Sequence, residues 1–264
     1  MIRFATLSSG SSSNCTAVWN EEGLVLIDMG TSCRKTVSTL NELGFSASDV
    51  SAVLITHEHV DHISGIRVLA KHYPTSFYCT RSTKRYLEDS SIIGPSQDFR
   101  EFEKGISFEA GGFRIIPFAT NHDSRTCSGF RLEREGRAVA LATDIGSVDD
   151  GVRQYLSGCG IVGIEANYDE IMLRTGPYAP SLQARIKSPF GHLSNSDCAA
   201  EVARLIDEEG VRNIVLMHIS DKNNTPEMAM VACIGAAEDR GIPEDSYRLI
   251  AAPRYGVSEI LELD

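Results

Sequence analysis

Thr56-His57-Glu58-His59-Val60-Asp61-His62 places three imidazoles and an aspartate in the spacing H-x-H-x-D-H. Imidazole nitrogens suit zinc, iron and manganese, and a carboxylate adds negative charge and a harder oxygen ligand. The apolar, β-branched run 51–56 predicts a strand that leads into this segment. On a loop leaving that strand, the first two histidines reach one metal ion while the aspartate and the third histidine face a second. The alternative is a solvated polar loop that happens to contain three histidines.

Four residues on one loop cannot complete two metal sites, so further ligands must come from elsewhere in the chain. Candidate site residues follow apolar runs that predict strands, and they are Asp28, His122, Asp144, Glu165 and His218. Side chains at one edge of a sheet converge in space, which is where α/β proteins build their sites. A lone histidine near a strand end is more often structural, but beside the histidine loop His122, Asp144 and His218 become candidate ligands. His72 fits no such position and is expected to be an ordinary surface residue.

The length and composition of the chain indicate a folded globular protein. It has 264 residues, of which 42% are hydrophobic and 23% are charged, which excludes disorder, collagen and coiled coil as descriptions of the whole. The alternating pattern of strands and helices offers no boundary, so residues 1–264 are expected to form a single domain. Apolar runs such as 138–142 are far shorter than the ~20 residues of a membrane span, and the N-terminus shows no signal peptide. We therefore expect a cytoplasmic protein with no membrane partner.

The charge and cysteine content exclude two classes of protein. Lys and Arg number 25 against 36 Asp and Glu, a formal net charge of −11. Proteins that bind nucleic acid over their whole surface are usually basic, so a polyanionic substrate must bind here through a local basic patch or through metal ions. The seven cysteines are scattered and form no C-x-x-C pair. This pattern disfavours a disulfide framework and a cysteine-ligated zinc site, and predicts small buried thiols.

Pattern and turn signals predict strands and helices on both sides of the histidine loop. Helices are expected at 31–43, ended by Gly44, at 63–72, at 195–209, and from Asn224-Thr225-Pro226-Glu227 to about 240. Strands are expected at 4–8, 17–19, 24–28, 51–56, 76–79, 106–109, 113–118, 129–133, 138–143, 161–164 and 213–217. The segment 168–191 is expected to be a loop, because it contains Pro177, Pro180 and Pro189.

H-x-H-x-D-H, followed by a later histidine, an aspartate after a strand and a final histidine, resembles the metallo-β-lactamase superfamily. The resemblance implies an α+β fold, a four-layer αβ/βα sandwich with two central mixed sheets whose edges hold two metal ions. It implies that one metal site consists of His57, His59, His122 and Asp144. It implies that the other consists of Asp61, His62, Asp144 and His218. Asp28 matches the aspartate that supports the histidine loop, and its alternative is a turn residue that ends a strand.

Narrower features separate the branches of the superfamily. No cysteine stands in a ligand motif, as one does in true β-lactamases, and the loop has His59 where flavodiiron proteins have glutamate. The segment 120–124 does not match the glyoxalase II motif. The chain resembles the RNase Z-like phosphodiesterase branch at Glu165-Ala166-Asn167-Tyr168, His192-Leu193-Ser194 and Met217-His218-Ile219-Ser220. Asn167 and Leu193 depart from that pattern, since they stand where the branch has threonine and serine.

Further motifs resemble the bacterial YycJ/WalJ-like group, for which DNA-directed phosphodiesterase or exonuclease activity is implied. They are Ser9-Gly10-Ser11-Ser12, Asn167-Tyr168-Asp169, Gly176-Pro177-Tyr178, Gly191-His192-Leu193-Ser194-Asn195, His218-Ile219-Ser220 and Asn223-Asn224. Because these motifs are spread over most of the chain, the resemblance is specific for the group and weaker for the substrate.

The resemblance also implies a mechanism. A hydroxide that bridges the two ions is the nucleophile, held by Asp61 and Asp144. His192, oriented by Glu165, is the candidate general acid for the leaving alkoxide. The alternatives are a helix-capping role for His192 and an ordinary strand-end role for Glu165. Candidate contacts to the substrate are Arg174, Arg185, Lys187, Ser11 and Asn223.

Those substrate contacts have simpler alternatives. The three cations lie on the predicted loop 168–191, which is equally a solvated charged segment. Ser11 lies in a serine-rich turn, residues 9–14, whose backbone N–H groups could face a phosphate but which is otherwise an ordinary hairpin turn. The basic loop is the expected point of local attraction for nucleic acid on an acidic protein.

The function that these features favour is a dinuclear-metal-dependent phosphodiesterase that acts as a nuclease or exonuclease on DNA. One alternative is a thioester or lactone hydrolase with the same metals, and another is a metal-loaded binding protein without turnover. Zinc is the first candidate metal, with manganese and iron as alternatives, because His and Asp ligands suit all three. The sequence leaves open DNA against RNA, exonuclease against endonuclease, and the oligomeric state.

Overall fold

The computed structural model describes residues 1–124 and 126–264, and within them the strands form two sheets of seven strands each. The first sheet begins with β1 (Ile2–Ser8), β2 (Cys15–Trp19), β3 (Leu24–Ile27), β4 (Val50–Leu54), β5 (Ser76–Cys79) and β6 (Phe99–Glu101). The second sheet consists of β7 (Phe108–Ala110), β8 (Phe113–Ala119), β9 (Ser128–Arg134), β10 (Arg137–Ala142), β11 (Ile161–Glu165), β12 (Asn213–Met217) and β13 (Arg248–Ala251). The last strand, β14 (Leu261–Leu263), returns to the first sheet beside β1.

Both sheets are mixed. The order of the first is β14-β1-β2-β3-β4-β5-β6, and that of the second is β13-β12-β11-β10-β9-β8-β7. In each sheet one half is an antiparallel meander, and the other half is parallel, from β3 to β6 and from β10 to β13. Parallel strands need crossover connections, which helices supply here. The carboxyl ends of β3, β4, β10, β11 and β12 are the strand ends that carry the site residues.

Helices cover the outer face of each sheet. Those of the first half are α1 (Cys33–Glu42), α2 (Val60–Ile63), α3 (Ile66–His72) and α4 (Arg81–Asp89). Those of the second half are α5 (Asp150–Leu156), α6 (Glu170–Thr175), α7 (Pro180–Ile186), α8 (Asn195–Asp207) and α9 (Pro226–Asp239). Short 3₁₀ turns lie at Ala47–Asp49 and Glu244–Ser246. Within residues 1–124 and 126–264, none of the helices has both the length and the apolar character that crossing a bilayer requires.

Three apolar clusters hold the layers together. One lies between the sheets and joins Phe4 and Ile27 of the first to Phe130 and Val215 of the second. The other two lie between each sheet and its own helices. A strand that is covered on both faces has apolar residues without alternation, as in the fully buried β3. The four layers confirm the expected αβ/βα sandwich with two central mixed sheets.

The segment 168–191 was expected to be a loop, and that expectation is wrong. It contains α6 and α7. The Asp169 side chain accepts hydrogen bonds from the backbone N–H groups of Ile171 and Met172, which starts α6, and Pro180 occupies the beginning of α7. A proline is tolerated at the first position of a helix because the N–H that it lacks would have no partner there. Here Pro180 starts a helix and does not break one.

The predicted helix 63–72 is divided into α2 and α3 around Ser64 and Gly65. A Cβ at Gly65 would lie 2.5 Å from the backbone oxygen of Thr31, so the chain approaches another segment too closely there for any other residue. Three short strands, β6, β13 and β14, were not predicted. They have three or four residues each, which is too few for a clear apolar pattern.

Candidate metal centre

The site residues lie where strands end, as the sequence predicts. Asp28, Asp144 and His218 follow β3, β10 and β12, and each has a positive φ, of 61°, 54° and 55°. This left-handed conformation is rare outside glycine and costs of order 1–3 kcal/mol. The same sharp turn at three neighbouring strand ends therefore marks a site, because the fold must stabilise all three.

The structure brings all seven predicted metal ligands together. His57, His59 and His122 form one group in which one ring nitrogen of each lies within 4.8 Å of the others. A second group of the same size consists of Asp61, His62 and His218. Asp144 forms another group with His57 and His62, which takes one histidine from each of the first two groups. These are two adjacent sets of ligands that share a central carboxylate.

The chemistry of these donors fits two divalent metal ions. Among the described residues, His57 Nε2, His218 Nε2 and Asp144 Oδ2 are buried and have no hydrogen-bond partner. A buried polar atom without a partner costs a few kcal/mol, so such atoms mark a place where a ligand is bound. Imidazole and carboxylate are ligands for zinc, manganese and iron. The His/Asp cluster therefore fits a dinuclear metal site and leaves the identity of the metal open.

The electrostatics of the cluster favour added positive charge. Burial lowers the pKa of His57, so its ring is neutral, which is the state that binds metal ions. Burial also opposes charge on His218, but the neighbouring carboxylates, Asp144 first among them, outweigh it and raise the pKa of His218 to about 10. A positive charge, whether from a proton or from a metal ion, is thus stabilised where the carboxylates converge.

Asp28 holds the histidine loop, as expected. One of its carboxylate oxygens accepts from the backbone N–H of Thr56 at 2.8 Å. The other accepts from the Thr56 hydroxyl at 2.7 Å and from His62 Nδ1 at 2.7 Å. Because Nδ1 of His62 donates to Asp28, its Nε2 is the nitrogen that faces the centre.

Asn14 is a site residue that the sequence analysis did not single out. Its side-chain nitrogen lies 3.3 Å from Asp61 Oδ2 and 3.1 Å from His62 Nε2, and its backbone N–H donates to the Asp61 carbonyl at 2.8 Å. A Cβ on Gly30 would lie 1.6 Å from that same carbonyl oxygen. The serine-rich turn therefore positions Asp61, one of the candidate ligands, although nothing in the sequence of the turn indicates which residue it contacts.

Glu165 and His192 form the expected pair. Glu165 Oε1 accepts from His192 Nδ1 at 2.8 Å and from His218 Nδ1 at 2.6 Å, and Oε2 accepts from the backbone N–H of Ile145 at 2.8 Å. Burial would raise the pKa of Glu165, but the two rings lower it to about 2. His192 Nδ1 lies 4.0 Å from Asp144 Oδ1. The cap of α8 is Ser194, so His192 is not a helix cap.

Burial would lower the pKa of His192, but the adjacent carboxylate of Glu165 raises it. Asn167 occupies the position where the branch has threonine, and its amide donates to the His218 carbonyl at 2.8 Å. Although Asn167 departs from the pattern, its polar side chain therefore still holds the strand end that carries His218.

A cavity of about 250 Å³ opens onto the cluster. Its lining includes Ser11, Asn223 and Arg185 among the predicted substrate contacts, together with Tyr178. The Asn223 side chain is buried, and among the described residues its Oδ1 has no hydrogen-bond partner. Arg185 forms an ion pair with Asp123 at the rim.

The other two predicted cations, Arg174 and Lys187, are exposed and do not line this cavity. His72 is exposed on α3, as expected. Among the described residues of 168–191, Arg185 is the one basic residue that lines this cavity. Its position follows from α7, a helix that the sequence analysis missed.

Comparisons with known proteins agree with this geometry. The family described as "Beta-lactamase superfamily domain" matches residues 24–219. The chain is similar to "Exodeoxyribonuclease WalJ" of Streptococcus pneumoniae serotype 2 (strain D39), with 34% identity over 92% of this chain and 91% of that protein. It is similar to "Exodeoxyribonuclease YycJ" of Bacillus anthracis, with 33% identity over 99% of this chain and 94% of that protein.

Solved structures agree on the fold. The "metallo-beta-lactamase fold protein YhfI" of Bacillus subtilis superposes with a TM-score of 0.73, covering 98% of this chain and all of that one, at 17% identity. At such identity the likeness establishes the architecture, a metallo-β-lactamase sandwich, and says nothing of the substrate.

Proposed function

This chain belongs to the beta-lactamase superfamily, and from that premise we propose that it is a DNA exonuclease that hydrolyses phosphodiester bonds with two metal ions. It is a metal-dependent hydrolase of the nuclease and phosphodiesterase type. Two relatives that it matches over more than nine-tenths of its length carry the name exodeoxyribonuclease, which supports DNA as the substrate.

The observation that carries the proposal is the position of His192. It lies beside the metal cluster, with Nδ1 held by Glu165 at 2.8 Å, and it lines the cavity. Because Nδ1 donates to the carboxylate, Nε2 is the nitrogen available to a bound substrate. A phosphodiester releases an alkoxide, which is a poor leaving group without a proton. A histidine in this position supplies that proton, whereas a thioester releases a thiolate that needs it less.

The metal ligands of this proposal are those that the structure clusters. One ion would be held by His57, His59, His122 and Asp144, and the other by Asp61, His62, Asp144 and His218. Two divalent ions so placed supply an activated water for attack and neutralise the charge of the phosphate. We propose zinc as the first metal to test and manganese and iron as the others, since the donors suit all three.

The chain's own residues do the remaining work. Asp61 and Asp144 would accept hydrogen bonds from the attacking water and orient it, the proton that the water loses would pass to solvent, and His192 would protonate the leaving oxygen. Arg185, Ser11 and Asn223 line the cavity and bind the scissile phosphate and the phosphates beside it. To bind a phosphate, the Arg185 side chain must leave its ion pair with Asp123. Breaking an exposed ion pair costs little free energy.

We also propose that residues 1–264 form a single domain. The apolar cluster between the two sheets takes residues from both halves of the chain and supports this. A single cooperative unfolding transition, with the same midpoint by near- and far-ultraviolet circular dichroism, is the expected result. Two separated transitions would contradict it.

The experiment that tests the function compares substrates. Protein loaded with zinc or with manganese is incubated with end-labelled single- and double-stranded DNA, the same sequences as RNA, bis(p-nitrophenyl) phosphate and a thioester. We expect DNA to be shortened progressively from an end. Cleavage of the thioester with none of DNA would favour the acyl hydrolase instead, and inactivity of the metal-loaded protein on every substrate would favour a binding protein.

A further inference from the structure

A surface beside the catalytic pocket carries an exposed aromatic ring and two cations. Tyr255 is 52% exposed, and Lys35 Nζ lies 3.3 Å from the centroid of its ring. The preceding residue, Arg254, is exposed, and its side chain packs within 3.9 Å of the place where a Cβ on Gly10 would lie. We call Tyr255, Lys35 and Arg254 together the Tyr255 surface. None of the three belongs to the metal cluster or to the catalytic pair.

The Tyr255 surface is continuous with the catalytic pocket. The Tyr255 hydroxyl lies 3.2 Å from the Ser12 hydroxyl, and the adjacent Ser11 lines the pocket. A second cavity of about 350 Å³ is lined by Arg254 and shares Ser220 with the catalytic pocket. A strand that leaves the pocket past Ser11 or Ser220 therefore reaches this surface directly.

The charges on this surface are available to a polyanion. In the described part of the chain, Lys35 is held over the ring and forms no ion pair. Arg254 lies 3.4 Å from Asp221, and both side chains are about two-fifths exposed, at 41% and 39%. Such exposed pairs contribute little to stability, so a phosphate can displace the carboxylate. On a chain of net charge −11, cations placed next to the site are the ones a phosphate backbone would meet.

We propose that the Tyr255 surface is a subsite for the single-stranded segment of the substrate that extends from the scissile phosphate. One base stacks on the face of the Tyr255 ring opposite Lys35, and Lys35 and Arg254 contact the phosphates beside that base. An exposed aromatic ring within a cationic track is how proteins bind single strands without reading sequence, since every base has a flat face. A duplex offers no unstacked base, so the subsite favours a single-stranded end. This inference rests on the proposed nuclease function.

The test is the dependence of KM on substrate length. Wild type, Tyr255→Ala, Lys35→Gln and Arg254→Gln are compared on a dinucleotide and on a single strand of about 20 nucleotides. For Tyr255→Ala we expect KM for the longer strand to rise about 5- to 150-fold, the loss of one stacked base. The dinucleotide, which is too short to reach the ring, keeps its KM. The lysine and arginine variants flatten the salt dependence of the longer strand.

Two controls separate binding from support of the serine-rich turn. Tyr255→Phe keeps the ring and removes the contact with Ser12, so it should behave like wild type. Lys71→Gln removes an exposed lysine on α3 and should have no effect. The subsite is wrong if Tyr255→Ala equals wild type at both lengths, if it loses equally at both, or if Tyr255→Phe behaves like alanine. In each of these cases wild type still degrades DNA and the proposed function stands. Wild type that neither cleaves nor binds DNA overturns both proposals.

Discussion

Glu165 Oε1 lies 2.8 Å from His192 Nδ1, and a carboxylate in that position determines which nitrogen of the ring carries the proton. Because Glu165 holds Nδ1, the ring must present Nε2 to the cavity. His192 lies at the edge of the cluster, with its Nδ1 4.0 Å from Asp144 Oδ1. Glu165 and His192 form one further group with Asp144 and His218 whose ligand atoms lie within 4.8 Å of one another, and they lie outside the two groups of three that contain His59 and Asp61.

His192→Ala should keep both metal ions and slow DNA cleavage by about 10²–10⁴-fold, the usual contribution of a general acid. A nitrophenolate leaves well without a proton, so bis(p-nitrophenyl) phosphate should lose little. Steady-state rates on both substrates and the metal content per chain measure this. Loss of a metal ion, or equal losses on the two substrates, would show that His192 is a ligand or a structural residue.

Asp144→Ala should abolish cleavage and lower the metal content below two ions per chain. Asp144 groups with His57 and His62 and lies 3.6 Å from His122 Nε2, so its carboxylate adjoins both ligand sets. Elemental analysis after dialysis checks it, with Asp150→Asn as a control because that side chain is fully exposed on α5. Two retained ions would exclude a bridging role.

Of the three cations in 168–191, Arg185 should behave differently from Arg174 and Lys187. Arg185 lines the cavity, so Arg185→Gln should weaken cleavage of DNA and of the small diester alike. Arg174 and Lys187 are exposed outside it, so replacing both by glutamine should affect DNA alone. Each lost phosphate contact on a single strand lowers the slope of log K against log salt by about 0.7. An unchanged slope in the double variant would identify those two residues as merely solvated.

Gly30→Ala should prevent stable folding. A Cβ there would lie 1.6 Å from the Asp61 carbonyl oxygen and 2.6 Å from the Asn14 backbone nitrogen, and neither backbone atom can move without displacing Asp61. The expected loss exceeds about 4 kcal/mol. Gly235→Ala is the matched control, because nothing lies within 4 Å of its Cβ position in α9, and it should stabilise by about 0.4–1 kcal/mol. Urea unfolding measures both, and a folded Gly30→Ala protein would contradict the close approach.

The seven cysteines should be unreactive in the folded protein. All are buried and free, and burial raises the pKa of Cys79 and of Cys159 to about 12. A thiol reagent at pH 8 should therefore label none of them until the chain is unfolded, when it labels all seven.

Because all seven cysteines are free, the melting temperature of the protein should be the same with and without strong reductant. A drop on reduction would reveal a disulfide.

Short-range features were predictable because their information is local. Five ends of strands were identified from apolar runs followed by one polar residue, and the left-handed turns at Asp28, Asp144 and His218 occur at three of them. The helix start within Asn224-Thr225-Pro226-Glu227 and the stop at Gly44 are also local signals; the structure has a helix that begins at Pro226, capped by Thr225, and a helix end before Gly44. The helices in 168–191 were missed because Pro180 was interpreted as a breaker, although it stands at the one helical position that tolerates it.

The sequence by itself indicated a metal site, since His57, His59, Asp61 and His62 place four candidate ligands within the segment 57–62. Only the tertiary structure decided which distant residues complete the site. Asn14 contacts Asp61 from 47 residues away, and Tyr255 contacts Ser12 from 243 residues away. Such contacts depend on how two sheets pack and on where their edges meet, and side-chain pairing over that separation leaves no periodic trace along the chain.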